Sequence, residues 1–318
     1  MRALLTDSAA PRGLRLGEHA DPEPLPHQAL IRVTAAALNY GEVATVAGAL
    51  HPDSGVERPV DGLVPGFDAA GYVAHEAADG SGPKAGTPVV SFGPGGGWAE
   101  LRAVATDSLG VLPSGTNIVA ASALPVAGLT ALRALQRANV GLESTVLITG
   151  ASGGVAGFAI QLAKMAGARV IASTSNVDRH EKTLRTLGAD EVVVGPEAVA
   201  EPVDAVLDMV GGPQLVAAYR ALAQNGTLVA VGHSAEVGES FTFGDLFGDG
   251  GRHNRSIVSF HLTGCVDLGP ALTWLGGKLD DGSIDPHVTW QQSWRDIDDA
   301  VDALLGRRLN GKAVITID

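Results

Sequence analysis

Cysteine is nearly absent from this 318-residue chain: Cys265 stands alone. A lone thiol excludes an internal disulfide and any cysteine-rich zinc site. Long apolar runs are missing too, so no helix able to span a bilayer is expected. The amino terminus, Met1-Arg2-Ala3-Leu4-Leu5 followed by Asp7, has no apolar stretch of the signal-peptide kind, and a soluble cytoplasmic protein is the expectation. Positive charge is scarce, with 22 Lys and Arg against 35 Asp and Glu and a net charge of −13. This balance argues against a general binder of nucleic acid or anionic membrane, while leaving room for a local basic pocket.

What the chain does have is small and apolar. Hydrophobic residues make up 45%, enough for a sizeable core and too many for a disordered chain. The 42 glycines cluster where strands would end, and no fixed internal period of the solenoid kind is present. The length suits one large domain or two ordinary ones.

Short strands and turns fill the first third: Ala29-Leu30-Ile31-Arg32-Val33, Ala70-Gly71-Tyr72-Val73 and Thr87-Pro88-Val89-Val90-Ser91-Phe92. Residues 121–137 read as a helix that tolerates Pro125 in its first turn. Regular alternation then begins. Strands are expected at 145–149, 169–173, 191–194, 204–208 and 227–231, with helices at 155–166, 178–187 and 213–223. Continuous apolar strands alternating with helices imply an α/β domain with a parallel sheet covered on both faces. From Leu268 the pattern returns to helix and ends in the strand Lys312-Ala313-Val314-Ile315-Thr316-Ile317. An α/β domain inserted between two parts of a β-rich domain is the simplest arrangement.

The first strand and helix of the alternating region enclose Gly150-Ala151-Ser152-Gly153-Gly154-Val155-Ala156-Gly157. Backbone N–H groups at a helix start bind pyrophosphate, and glycines let the backbone approach it. Without a ligand the same motif is a plain structural turn. Its place after a strand, before a helix and at the head of a βα series favours a dinucleotide. An NAD site normally carries Asp or Glu at the end of the second strand. Here Ser173-Thr174-Ser175-Asn176 stands instead, with no acid until Asp178 and with Arg179 and Lys182 close behind. Hydroxyls and cations suit the 2′-phosphate of NADPH, which a carboxylate would repel.

Leu124-Pro125-Val126-Ala127-Gly128-Leu129-Thr130-Ala131-Leu132, followed by the glycine turn, strongly resembles the zinc-independent quinone oxidoreductases of the medium-chain dehydrogenase/reductase superfamily. Ala37-Leu38-Asn39-Tyr40, Val64-Pro65-Gly66-Phe67-Asp68-Ala69-Ala70-Gly71, Leu187-Gly188-Ala189-Asp190 and Gly311-Lys312 support it. The resemblance implies a GroES-like β-barrel catalytic domain at 1–118 and 265–318, a Rossmann-type doubly wound parallel sheet at 119–264, and a cleft between them. Zinc-dependent relatives carry a cysteine where this chain has Leu38-Asn39-Tyr40 and Gly-His-Glu where it has Gly66-Phe67-Asp68, so no metal is expected. His51 with Asp53, and His253 with His261, match no strong ligand pattern.

Without a Lewis acid an ordinary alkoxide is poorly stabilised, whereas a quinone or enone spreads the arriving charge onto its own oxygen. An NADPH-dependent reductase of a small quinone or α,β-unsaturated carbonyl compound is therefore expected. The alternatives are a biosynthetic enoyl reductase acting on a carrier-bound or polyketide-type intermediate, and a non-catalytic NADPH-binding protein of structural or regulatory role. The resemblance puts Asn39 and Tyr40 beside the nicotinamide, Asn39 to position cofactor or donate to substrate oxygen, Tyr40 to bond or stack; both can instead pin a loop. His51 stands where many relatives have tyrosine, and is either the proton donor or a loop residue. The expected cofactor contacts are Asn39, Thr130, Ser152, Gly153, Gly154, Val155, Ser173, Thr174, Ser175, Arg179, Val210, Val231, Gly232 and Phe260. The segment 256–260 pairs across subunits in many relatives, so a homodimer is expected. Trp274, Trp290 and Trp294 are read as structural or interface residues, and 235–254 as a lid or partner surface.

Overall fold

The computed structural model describes residues 1–247 and 251–318. The chain divides into two compact units, residues 1–129 with 266–318 and residues 130–265. The first junction falls inside a helix rather than at 118/119, because the helix belongs partly to each unit.

In chain order the first unit supplies β1 (Arg2–Thr6), β2 (Leu14–Glu18), β3 (Gln28–Leu38), α1 (Tyr40–Ala47), β4 (Asp68–His75) and β5 (Pro88–Phe92). It continues with β6 (Leu101–Ala105), β7 (Leu109–Val111), α2 (Ile118–Ala121) and the start of α3 (Pro125–Arg137). The second unit holds β8 (Thr145–Ile148), α4 (Gly154–Met165), β9 (Arg169–Thr174), α5 (Val177–Thr186) and β10 (Glu191–Val194). β11 (Val203–Asp208), α6 (Gly212–Arg220), β12 (Leu222–Ala230) and β13 (Ser256–Ser259) complete it. The chain then returns with α7 (Leu268–Asp280), β14 (Val288–Ser293), α8 (Ile297–Leu305) and β15 (Lys312–Thr316).

The helix expected at 121–137 is α3 and starts four residues later, at Pro125; only Ala121 of the expected range lies in the short preceding α2. Proline has no N–H and disfavours helical geometry in the residue before it, so Pro125 starts α3 and α2 ends before it. Asn117 caps α2, its side chain accepting from Ala120 N.

A seven-stranded sheet in the first unit runs β14-β15-β3-β4-β5-β7, with β6 also on β3. β1 and β2 pair separately and antiparallel. Trp98 and Trp294 are fully buried, with Leu4, Leu38 and Val301 in one core cluster, which makes Trp294 structural; Trp290 packs against it, while Trp274 is exposed. Arg102 is buried beneath the glycine-rich loop and donates to the carbonyls of Gly66, Phe67 and Gly95 and to Ser91 Oγ. Burial lowers its pKa to about 10.

The second unit is built on a parallel six-stranded sheet ordered β10-β9-β8-β11-β12-β13. Numbered within the unit this is 3-2-1-4-5-6, with the reversal between β8 and β11, where open α/β sheets bind ligands at their strands' carboxyl ends. Val146, Leu147 and Ile148 of β8 are fully buried, as a strand covered on both faces must be. β12 begins at Leu222, earlier than the apolar run alone predicts; its register on β11 shifts between Val203 and Ala205, admitting the polar stretch 224–225. Among the described residues no helix is long and apolar enough to cross a membrane.

Candidate functional site

In the second unit, the turn from β8 into α4 leads straight to the helix start. Gly150 sits at φ +58°, which favours glycine, and a Cβ there would lie 3.1 Å from Val210 Cγ2. Gly153 is the N-cap of α4 and, among the described residues, no side chain caps it. The helix ladder opens with Gly157 N donating to Gly153 O. The amides of Gly154, Val155 and Ala156 therefore have no intrahelical acceptor, which with the helix dipole makes an anion cradle. Ser152 is half-buried beside it. These residues fit a pyrophosphate without any charged side chain.

The second strand meets the turn through Ala151 N, which donates to Ser173 O. Ser173 is buried, and the Thr174 hydroxyl is hydrogen-bonded to His180 Nδ1 at 2.7 Å. Burial, and secondarily the charge of Arg179, lowers the His180 pKa. Of the hydroxyl residues expected to meet a phosphate, only Ser175 is exposed, together with Arg179 and Lys182 on α5. Asn176 caps that helix by accepting from Arg179 N. Val210 follows β11, while Val231 and Gly232 follow β12, and all three are half-buried. Phe260 directly follows β13, its N–H donating to Ala230 O. Thr130 is buried on α3.

In the first unit, Asn39 belongs to a buried charged cluster. Its Nδ2 donates to Glu42 Oε2 at 2.9 Å and to Asp68 Oδ2 at 3.0 Å, and its Oδ1 accepts from Lys312 Nζ at 2.6 Å. Both amide hydrogens are spent, so this arrangement leaves Asn39 a lone pair and no donor for a substrate oxygen. Asp68 Oδ1 accepts from Val126 N in the first turn of α3, and Glu42 Oε1 accepts from Phe67 N. Glu42 is pushed up to about 8, by burial first and by Asp68 second. Burial also raises Asp68 against the pull of Lys312, and it lowers Lys312.

Tyr40 opens α1 and is half-buried. His51 is exposed, and its Nδ1 accepts from Asp53 N at 3.2 Å. Among the described residues no three His, Cys, Asp or Glu side chains form a metal-holding group. Of the segment 235–254, residues 248–250 lie outside the described residues. The part before them folds on α6: Asp245 pairs with Arg220, and Glu239 accepts from Gly212 N.

Glu42, Asp68 and Lys312 are not singled out as site residues by sequence reasoning, which assigns charged side chains to the surface. A usable signal exists for Glu42, which lies three residues after Asn39 at a helix start. Lys312 opens β15, directly ahead of the apolar run Ala313-Val314-Ile315.

A glycine turn that fits an anion, at the head of a 3-2-1-4-5-6 sheet and joined to a mainly antiparallel β unit, is the architecture of dinucleotide-dependent oxidoreductases. The family description "alcohol dehydrogenase GroES-like domain" matches residues 25–114, and "zinc-binding dehydrogenase" matches residues 154–264. A chloroplast envelope quinone oxidoreductase homolog of Arabidopsis thaliana is 34% identical over 66% of this chain and 68% of its own. An acryloyl-coenzyme A reductase of Metallosphaera sedula is 29% identical over 70% and 74%. The solved quinone oxidoreductase of Coxiella burnetii superposes with a TM-score of 0.82 at 27% identity, covering 100% of this chain and 99% of that one. Among chloroplast quinone oxidoreductase relatives, the chain spans 55–68% of their lengths. The chain belongs to the zinc-independent quinone oxidoreductase type of the medium-chain dehydrogenase/reductase family. It is an oxidoreductase of the reductase class, with a nicotinamide cofactor.

Proposed function

We propose that the protein is an NADPH-dependent reductase of a small quinone or α,β-unsaturated carbonyl compound. The observation that carries this reading is the uncapped start of α4 at the sheet's reversal point, beside a second strand that ends without a carboxylate. Gly153, Gly154, Val155 and Ser152 would hold the pyrophosphate, while Ser175, Arg179 and Lys182 would face the 2′-phosphate. Val210, Val231, Gly232, Thr130 and Phe260 would line the remainder of the nucleotide, with Ser173 and Thr174 acting through the backbone. When bound, the cofactor supplies hydride.

The donor set around Asn39 is a carboxamide, two carboxylates and an ammonium, so Lys312 already provides the positive charge that a divalent cation would bring. Such a set does not suit a resident metal, and an acceptor that spreads charge onto its own oxygen is the chemistry that needs none. Asn39 then serves to position α1 and Lys312, and Tyr40 or His51 is the proposed proton donor to the reduced substrate.

The test is NADPH oxidation, followed by absorbance, with a panel of quinones, enones and enoyl thioesters, run in parallel with NADH. NADPH is expected to be preferred, and Arg179→Ala is expected to weaken NADPH binding about tenfold while barely changing NADH. Equal rates with both nucleotides, or equal losses in the variant, would refute the 2′-phosphate assignment. No oxidation across the panel would refute the reductase.

A homodimer is also proposed. β13 is the last strand of its sheet, and Ser256, Ile257 and Ser259 are exposed along it. An edge strand of this kind is a ready template for pairing with a second copy. Light scattering should give the mass of two chains; a single-chain mass would end this reading.

A further inference from the structure

We infer that Thr149 and Asp208 are positioning residues of the nucleotide site, a buried pair that sets the spacing of its three loops. The inference rests on the reading of the second unit as a nicotinamide-nucleotide site.

Thr149 directly precedes Gly150, at the carboxyl end of β8. Asp208 ends β11, the neighbouring strand across the sheet's reversal, and neither side chain is exposed. The Thr149 hydroxyl donates to Asp208 Oδ1 at 2.6 Å and accepts from Met209 N at 3.0 Å. Asp208 Oδ2 accepts from Gly211 N at 2.8 Å. The main-chain carbonyl of Asp208 accepts from Val231 N at 2.8 Å and from Gly232 N at 3.1 Å. One residue thus ties the glycine turn, the loop 209–212 and the turn 231–232 together.

The three loops also touch. A Cβ on Gly150 would lie 3.1 Å from Val210 Cγ2, and one on Gly232 would lie 2.9 Å from Met209 O. A shift of 209–212 must therefore move its neighbours, because interiors at this density transmit displacement. Burial raises the Asp208 pKa, and the Thr149 hydroxyl and loop N–H groups oppose that rise. A buried carboxylate is costly unless its oxygens are satisfied, and here they are satisfied by the loops it positions.

The experiment is calorimetric titration of the full-length protein with NADPH and with NADH, together with thermal melts and kcat at saturating nucleotide. Thr149→Val keeps the side-chain shape but removes the hydroxyl; Asp208→Asn puts an amide where two groups donate. Each is expected to raise both Kd values alike, about tenfold, with kcat changed by no more than about twofold, and Thr149→Ser should restore binding. The equal loss for both nucleotides separates this role from that of Arg179, which is selective. Lower melting temperatures with unchanged Kd values would overturn the inference, as would a loss confined to NADPH. Failure of both variants to fold would overturn it as well, since the pair would then serve the fold rather than the site. A wild-type protein that binds neither nucleotide would instead remove the nucleotide reading itself.

Discussion

Gly153→Asp is expected to abolish nucleotide binding while leaving the protein at least as stable as the parent. Gly153 sits at φ −82° and ψ 162°, a conformation open to any residue. It is also an N-cap, where Asp is preferred and gains a few tenths of a kcal/mol over glycine. The added Cβ would meet Gly150 O at 3.3 Å, which asks that neighbour to yield by a few tenths of an ångström. The new carboxylate, however, would occupy the amides that the pyrophosphate needs and would repel it. At a separation of about 5 Å and an effective dielectric constant of about 20, one such repulsion is worth about 3 kcal/mol, a loss of more than ~100-fold. Calorimetric titration with NADPH beside a thermal melt reads both halves of the expectation. Unchanged affinity in a folded variant would mean that the phosphates bind somewhere other than at α4.

Lys312→Met should have the largest effect on stability, a loss of about 3–5 kcal/mol at neutral pH, because it strands the Asp68 carboxylate in the interior beside Glu42, which burial holds largely protonated there. The Lys312 ammonium lies 3.7 Å from Asp68 Oδ2 and donates to Asn39 Oδ1 and Leu38 O. Methionine restores the volume and none of the charge. The loss must shrink as pH falls, since protonated carboxyls no longer need the cation. The intact protein has its own slope from Glu42, whose pKa is about 8 in the fold against an ordinary 4.5. Between those values the folded state holds a proton that the unfolded state has released. The Glu42 contribution is therefore fully present below about pH 4.5 and is lost as pH rises toward 8. Glu42→Gln should flatten that slope whatever its absolute cost. Denaturant unfolding at pH 5.5 and pH 8 is the measurement. A Lys312→Met deficit below about 1 kcal/mol, or one independent of pH, would show that the cluster is not electrostatically coupled.

The parallel sheet and its glycine turn were legible because their signals are local. Apolar runs such as Val146-Leu147-Ile148 declare burial on both faces, and Gly153-Gly154 declares a helix start that admits an anion. Family resemblance added the likeness between the segments around Asn39 and Thr130 and a known class. Local reading placed one boundary wrongly, at Pro125, which opens α3 rather than lying within its first turn. The polar start of β12 escaped it too, because that strand is held by pairing with β11 rather than by its own apolar character.

Composition and short-range pattern thus determined the parallel α/β sheet, the repeated βα order and the glycine turn ahead of α4, since each depends on residues a few positions apart. Only the tertiary structure could decide that Asn39 gives both hydrogens to carboxylates, that the Thr174 hydroxyl turns inward to His180, and that Thr149 meets Asp208. The Lys312 bond to Asn39 joins residues 273 positions apart, and the Thr149 bond to Asp208 joins residues 59 apart. Such partners are fixed by sheet register and strand order, and a charge in a linear sequence does not reveal the partner that will permit its burial.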